Sequence, residues 1–344
     1  MNKKIIFFSI DRLGDYLIRS NVIKKISDNF TNVEIITSEK NNKLITSQTF
    51  FTNVILFNTK NKVLNKLKFI LLFFLKSYDT AIALDGKNIS TLLLFFIKAK
   101  FKFTYVYKKK GLVNLIYLKF IIFFFNIFKI KYEFLNSRAL IINNEGENYP
   151  KMYQKLKKYF NNIENKTYFL QETKITNYDE LFEKFVIIHL DEKYQDIINI
   201  DINFDEHLKK FQKEIDKKVI ITSFNNTFNY YKKIKLDKIN FNNLNNDNLY
   251  SSKILIIENM PLDHFQNLLK NSHTNISCHS GYFVHTSLAL NKRTIDIINK
   301  TDEIWYNNWI DDYKNYKKVY KSILNKKIEI NEILNNIAHE IKKN

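Results

Sequence analysis

The chain has 344 residues, 45% of them hydrophobic and including 30 Phe and 20 Tyr, enough to bury one large core or two ordinary ones and to exclude general disorder. A single cysteine, Cys278, excludes a disulfide framework and a thiol-based zinc site, which fits a reducing compartment. The formal charge is +19, yet only four of 54 basic residues are arginine (Arg12, Arg19, Arg138, Arg293), whereas nucleic-acid readers lean on the forked guanidinium; heavy joint use of Lys, Asn, Ile and Phe points to AT-rich coding bias, and nucleic acid is a poor fit as partner.

Met1-Asn2-Lys3-Lys4 leads into a short apolar run that stops at Asp11 and Arg12, so the opening reads as a strand, Lys4–Ile10, and not as a signal peptide. Further β-branched and aromatic runs predict strands over 33–37, 54–57, 80–84 and 103–106, with helical stretches over 15–30, 62–76, 88–98 and 112–128 between them. The last of these, Leu112 to Phe128, is interrupted by Asn114, Lys119 and Asn126, and crossing a bilayer takes about 20 predominantly apolar residues. Two readings of it stay open: a core helix of the first domain, or a helix lying on an anionic membrane, with Phe and Ile toward acyl chains and lysines 108, 109, 110, 119, 129 and 131 toward headgroups.

Turn formers from Asn143 to Pro150 place a domain boundary near 145–180. The alternation then resumes, with strands over 185–190, 218–222, 254–257, 274–278 and 294–297 and helices over 205–216, 263–271 and 283–290. Phe241–Tyr250, with five Asn and one Asp, reads as a surface loop. The expectation is an α/β chain of two Rossmann-like domains with parallel sheets facing a cleft: 1–150, a linker over 151–180, 181–330, and a C-terminal helix or tail over 331–344.

Three of the five glycines, Gly14, Gly86 and Gly281, follow predicted strands, at the edge where parallel α/β sheets bind ligands, and serve either close approach to a ligand or simply tight strand-to-helix turns. In Asp11-Arg12-Leu13-Gly14-Asp15, Asp15 is either an N-terminal helix acid or a general base for an attacking hydroxyl, and the two roles are compatible. The turn from Ser277 to Gly281 into a helix offers amide donors and a positive dipole end, which suit a diphosphate; His285 beside it either donates to a phosphate oxygen or is an ordinary helical histidine. His189, Asp191 and Asp85 lie near predicted strand ends, where they join a site or serve packing and capping.

Arg12-Leu13-Gly14-Asp15 near the start, the Tyr78–Asp85 strand, the Pro261–Leu269 helix, and Gly281 followed by His285-Thr286-Ser287-Leu288-Ala289-Leu290 resemble, in order and spacing, the heptosyltransferase family, glycosyltransferase family 9. The resemblance implies a GT-B fold and a metal-independent enzyme without cofactor. It would transfer a heptose-like sugar, with inversion, from a nucleotide-sugar, typically ADP-linked, to a lipopolysaccharide-core or other cell-surface glycolipid. It makes Asp15 the base, with Arg12, Gly14 and Asp85 on the acceptor side. Lys193, Ser280, Gly281 and His285 resemble the family's donor-phosphate residues, and Asn226 and Met260 fall in loops that hold the nucleoside. The family usually has an aspartate two residues before the loop glycine and a histidine three after it; here His279 stands first and His285 comes four after. The leading reading is a cytoplasmic enzyme, peripheral on the inner membrane, with basic and aromatic helices of the first domain able to meet an anionic lipid acceptor. The rival readings are a GT-B-like module that binds nucleotide or glycan without transfer, and a polybasic adaptor.

Overall fold

The apolar runs pair as two all-parallel sheets, one in each of two units. The structure, a computed structural model, describes residues 3–57, 71, 75–108, 111–136, 149–164, 166–171, 178, 184–190, 198–199, 203–223, 234–279, 281–310, 313–321 and 328–343. Unit 1 comprises Met1–Gln171 and Ile304–Asp311; unit 2 comprises Glu172–Glu303 and Asp312–Asn344.

In unit 1 the strands β1 (Lys4–Ser9), β2 (Asn32–Ser38), β3 (Asn53–Phe57), β4 (Ser77–Ala83), β5 (Lys98–Lys108) and β6 (Ile130–Asn136) run in the order β3-β2-β1-β4-β5-β6 among the described residues. The central strands read as unbroken apolar runs because parallel strands are covered on both faces; Ile5, Ile6, Phe7 and Phe8 are all fully buried. Ile6, Phe8, Ala81 and Ala83 pack with Leu93, Leu94 and Phe125 from flanking helices. The helix after β1, Leu13–Ser27, is buried on nearly every side.

Among the described residues, the elements of unit 1 that were not anticipated include a strand, a helix, and the Tyr149–Gln154 helix with the Lys155–Lys158 3₁₀ turn inside the expected linker. β6 is an edge strand carrying Lys131 and Glu133, so its pattern is diluted by charge. The Glu39–Thr46 helix is mostly polar and buries only Asn41, Leu44 and Ile45. The expected 62–76 helix lies mainly outside the described residues. The Leu112–Ile127 helix is not a core helix: it buries only Leu118 and Phe125.

In unit 2 the order is β10-β11-β9-β7-β12-β13-β14, with β7 (Phe185–His189), β9 (Lys218–Ser223), β10 (Lys238–Asn240), β11 (Ile254–Glu258), β12 (Thr274–Ser277), β13 (Thr294–Asn299) and β14 (Tyr316–Lys321). Omitting the edge strand β10, this repeats the order of unit 1. β8 (Ile198–Asn199) and β15 (Ile328–Glu329) form a separate short pair. The Phe204–Ile215 helix and the C-terminal helix, Ile330–Lys342, bury Leu208, Phe211, Ile333 and Ile337 in one cluster with Val219 and Ile221 of the sheet. The Asn-rich segment expected as a loop instead forms a 3₁₀ turn, Phe241–Asn243, and a helix, Asn246–Ser251. Asparagine accounts for the difference, because it favours loops and N-caps alike: Asn240 and Asn245 accept hydrogen bonds from the backbone N–H of Asn242 and Asn248, at 3.1 and 2.9 Å.

The winding direction of each sheet reverses at one strand pair, β1/β4 in unit 1 and β7/β12 in unit 2. Ligands of open parallel sheets bind outside the carboxyl ends of such pairs. Gly86 follows β4 with φ +63°, and a Cβ there would lie 2.8 Å from the Tyr107 ring. Gly86→Ala is therefore expected to cost about 1–3 kcal/mol in urea unfolding. Gly281→Ala, where a Cβ meets nothing within 4 Å, should leave stability nearly unchanged.

Candidate active site

At the reversal point of unit 1, β1 ends at Ser9 and the chain passes through Ile10, Asp11 and Arg12 into the Leu13–Ser27 helix. Arg12 is the exposed N-cap, Gly14 is buried in the first turn, and Asp15 is the acid of that turn. One turn further, Arg19 is 1% exposed and forms an ion pair with Asp11. Its guanidinium also donates to Ser9 Oγ at 2.9 Å, the Leu84 carbonyl at 3.1 Å and Tyr153 Oη at 3.4 Å. Burial works against its charge, but Asp11, Tyr153 and Asp85 more than offset this, and the Arg19 pKa is raised. Asp11 accepts further bonds from Ser9 Oγ at 3.1 Å and Asn41 Nδ2 at 3.3 Å, while its carbonyl accepts from Ser38 Oγ at 2.9 Å.

Asp85, at the end of β4, accepts hydrogen bonds from the Ile10 amide at 3.0 Å, the Lys87 amide at 3.0 Å and Ser90 Oγ at 2.7 Å. It thereby latches the end of β4 to the end of β1. Burial and then the Asp11 charge raise its pKa, against the pull of Arg19.

Three carboxylates thus share one buried guanidinium, and Asp15 is the one left over. Burial and the charge of Asp11 lift its pKa to about 6, with Arg19 and the Arg12 backbone N–H holding it back. A carboxylate that titrates near neutrality is suited to take a proton from a hydroxyl. Tyrosines line its surroundings. Burial, and then charges that include Asp15, raise the pKa of Tyr107 and Tyr149, which stay neutral. Tyr149 donates to the Asn136 carbonyl at 2.7 Å and stacks on Trp309 at 4.0 Å between centroids.

Arg19, Asp11, Tyr107, Tyr149 and Tyr153 had not been singled out as site residues. The available signal was the rarity of arginine together with the four-residue spacing from Asp15 to Arg19.

In unit 2, the turn after β12 is held from within. His279 adopts φ +48°; its amide donates to Asp296 Oδ1 at 2.7 Å, its ring Nδ1 lies 2.6 Å from Asp296 Oδ2, and Tyr316 Oη donates to that same oxygen at 2.7 Å. Asp296, fully buried on β13, and Tyr316 on β14 had not been anticipated. The Gly281–Ala289 helix follows, with His285 buried one turn in and Gly281 open on its Cβ side. Met260 is buried just after Asn259, which adopts φ +56° beyond β11. His189, at the end of β7, is pushed by burial to about 3 and is neutral, 3.0 Å from Thr222 Oγ1 and stacked on Phe283 at 5.1 Å. Arg12, Gly14, Asp15 and Asp85 therefore gather at the carboxyl edge of the first sheet, and Met260, Gly281 and His285 follow strands of the second. Lys193, Asn226, Ser280 and Asp191 lie outside the described residues.

Compared by sequence, the chain matches no family model and no curated protein. By structure it is similar to a family 9 glycosyl transferase from Veillonella parvula, with TM-score 0.64 and 11% identity over 100% of this chain and 91% of that one. It is similar also to E. coli heptosyltransferase WaaC with ADP, with TM-score 0.63 and 11% identity over 98% and 99%. E. coli ADP-heptose lps heptosyltransferase II follows at TM-score 0.59 and 10% identity over 98% and 99%. Two parallel-sheet α/β units with these neighbours define the GT-B fold.

The raised pKa of Asp15 has a consequence for stability. Its folded value exceeds the unfolded one, so its contribution is fully present below about pH 4 and is lost as pH rises through about 6. Asp15→Asn should stabilise the fold by about 1–3 kcal/mol at pH 7.5, allowing for partial solvation, and by little at pH 4. Melting curves of both proteins at the two pH values check this.

Proposed function

We propose that the chain is a metal-independent, inverting glycosyltransferase that moves a heptose-like sugar from an ADP-linked donor to a lipopolysaccharide-core or other cell-surface glycolipid, in the cytoplasm at the inner membrane surface. The observation that carries the reading is Asp15, a carboxylate titrating at about 6 at the reversal point of a sheet whose fold is that of sugar transferases. WaaC is recorded with ADP and with ADP-2-deoxy-2-fluoro heptose, which supports a nucleotide-sugar as donor here.

In this reading Asp15 takes the proton of the acceptor hydroxyl as its oxygen attacks the anomeric carbon. The bond from that carbon to the diphosphate breaks on the opposite face, and a single displacement inverts the centre. The leaving diphosphate is met by the amides opening the Gly281–Ala289 helix, with Ser280, Lys193 and His285 as side-chain donors. Asn226 and Met260 take the nucleoside.

A second reading, a module that binds nucleotide or glycan without transfer, draws on His279, which is bonded inward to Asp296 where the resembled family carries an acid. A screen of thermal shift against ADP-, GDP-, UDP- and CMP-sugars in EDTA separates the two when joined to a transfer assay. The expected result is a shift with an ADP-sugar, lost in Lys193→Ala and His285→Ala, and a transfer product. Asp15→Asn should retain the shift and lose at least about 10³-fold in kcat. Binding without product against a broad acceptor panel would favour the second reading, and retained turnover in Asp15→Asn would remove Asp15 as base.

A further inference from the structure

The Leu112–Ile127 helix has two faces. Leu118 and Phe125 turn inward, where Phe125 packs against Phe95 at 5.9 Å and Tyr132 at 5.4 Å between centroids. Val113, Ile116, Phe120, Phe123 and Ile127, at alternating spacings of three and four, are 81, 60, 62, 59 and 55% exposed. At 100° per residue these five lie within about 50° of directly opposite the buried pair. Leu112, Leu115 and Phe128 widen the stripe, and the neighbouring Asn88–Phe96 helix, whose Phe95 meets Phe128 at 5.1 Å, adds exposed Leu92 and Phe96. A water-soluble monomer does not ordinarily present so large a contiguous apolar surface without using it.

The charge around this face selects its occupant. From Gly86 to Tyr132 the sequence holds ten lysines and no acid. Lys98, Lys108, Lys119, Lys129 and Lys131 are all exposed. Two copies meeting here would bring these cations together with no carboxylate from this stretch to offset them, whereas anionic headgroups above acyl chains complement both the stripe and its rim. A helix of 16 residues is about 24 Å long, short of a hydrocarbon core of about 30 Å, so it lies along a bilayer and does not cross it.

We infer that this face docks on an anionic lipid bilayer, with Phe120 and Phe123 entering the acyl boundary and the surrounding lysines at the headgroup phosphates. The inference deepens the membrane-surface location given in the proposed function and is argued from unit 1 alone, whereas the donor screen tests the transfer chemistry without lipid, so the two fail distinguishably.

The test is flotation of the full chain with vesicles of phosphatidylcholine alone or with about 30% phosphatidylglycerol. Flotation is expected only with the anionic vesicles, and it should fall about tenfold or more in Phe120→Ser/Phe123→Ser. A similar fall is expected in Lys119→Glu/Lys129→Glu/Lys131→Glu. Both variants substitute exposed positions, and an unchanged melting temperature excludes loss of folding as the cause. Light scattering without lipid should give a monomer. Absence of flotation, flotation indifferent to both variants, or a dimer dissolved by Phe120→Ser/Phe123→Ser would each overturn the inference, the last by assigning the face to a second copy.

Discussion

The buried ion pair between Arg19 and Asp11 is the interaction on which the rest of the first unit's candidate site depends. Taking a guanidinium out of water costs several kcal/mol, and the attraction to one carboxylate offsets this only where geometry is good and the remaining donors are engaged. Here Ser9, the Leu84 carbonyl and Tyr153 engage the two Nη groups, while Nε has no hydrogen-bond partner among the described residues, and the pair ties the ends of β1 and β4 to the Leu13–Ser27 and Tyr149–Gln154 helices. Asp85 repeats the constraint from the other side by holding the Ile10 amide. The reversal point of the sheet is thereby fixed before any ligand arrives, which is the pre-organisation that a reacting carboxylate requires.

The same pair sets the chemistry. With Asp11 committed to Arg19 and Asp85 committed to backbone amides and Ser90, Asp15 is lifted first by burial and then by the Asp11 charge, against the pull of Arg19 and Arg12, to about 6. Such a group weakens the fold in the pH range where it is ionised, the usual cost of a carboxylate held in a poorly hydrated place by its neighbours. The second unit solves a related problem differently. Asp296 holds the turn before the Gly281–Ala289 helix by its His279 amide and ring, leaving Gly281 open on the far side.

Much of the fold was legible because parallel strands buried on both faces read as plain apolar runs, as in Lys4–Ser9 and Phe185–His189. The sheet strands that were missed lie at edges: β6, β14, Tyr-Lys-Lys-Val-Tyr-Lys, and the three-residue β10 carry too little apolar signal to stand out. Asp15 was legible from its turn. Arg19 was not, because a lone arginine in a helix ordinarily points to water, and only the assembled sheet shows that this helix is covered on nearly every side. Asp296 was hidden for a related reason: within Thr294-Ile295-Asp296-Ile297 it reads as the solvent-facing residue of a half-buried strand, whereas its partners come from a turn 17 residues earlier and a strand 20 residues later.

The central claim is that burial and the Asp11 charge, against the pull of Arg19, hold Asp15 as a carboxylate titrating near neutrality, and it is tested most directly by carbon NMR of the aspartate carboxyl groups across pH, with Asp15 assigned by its loss in Asp15→Asn. The account predicts an Asp15 midpoint at about 6, moving down in Asp11→Asn, where the repelling charge is removed. A midpoint near 4, unmoved by that change, would contradict it.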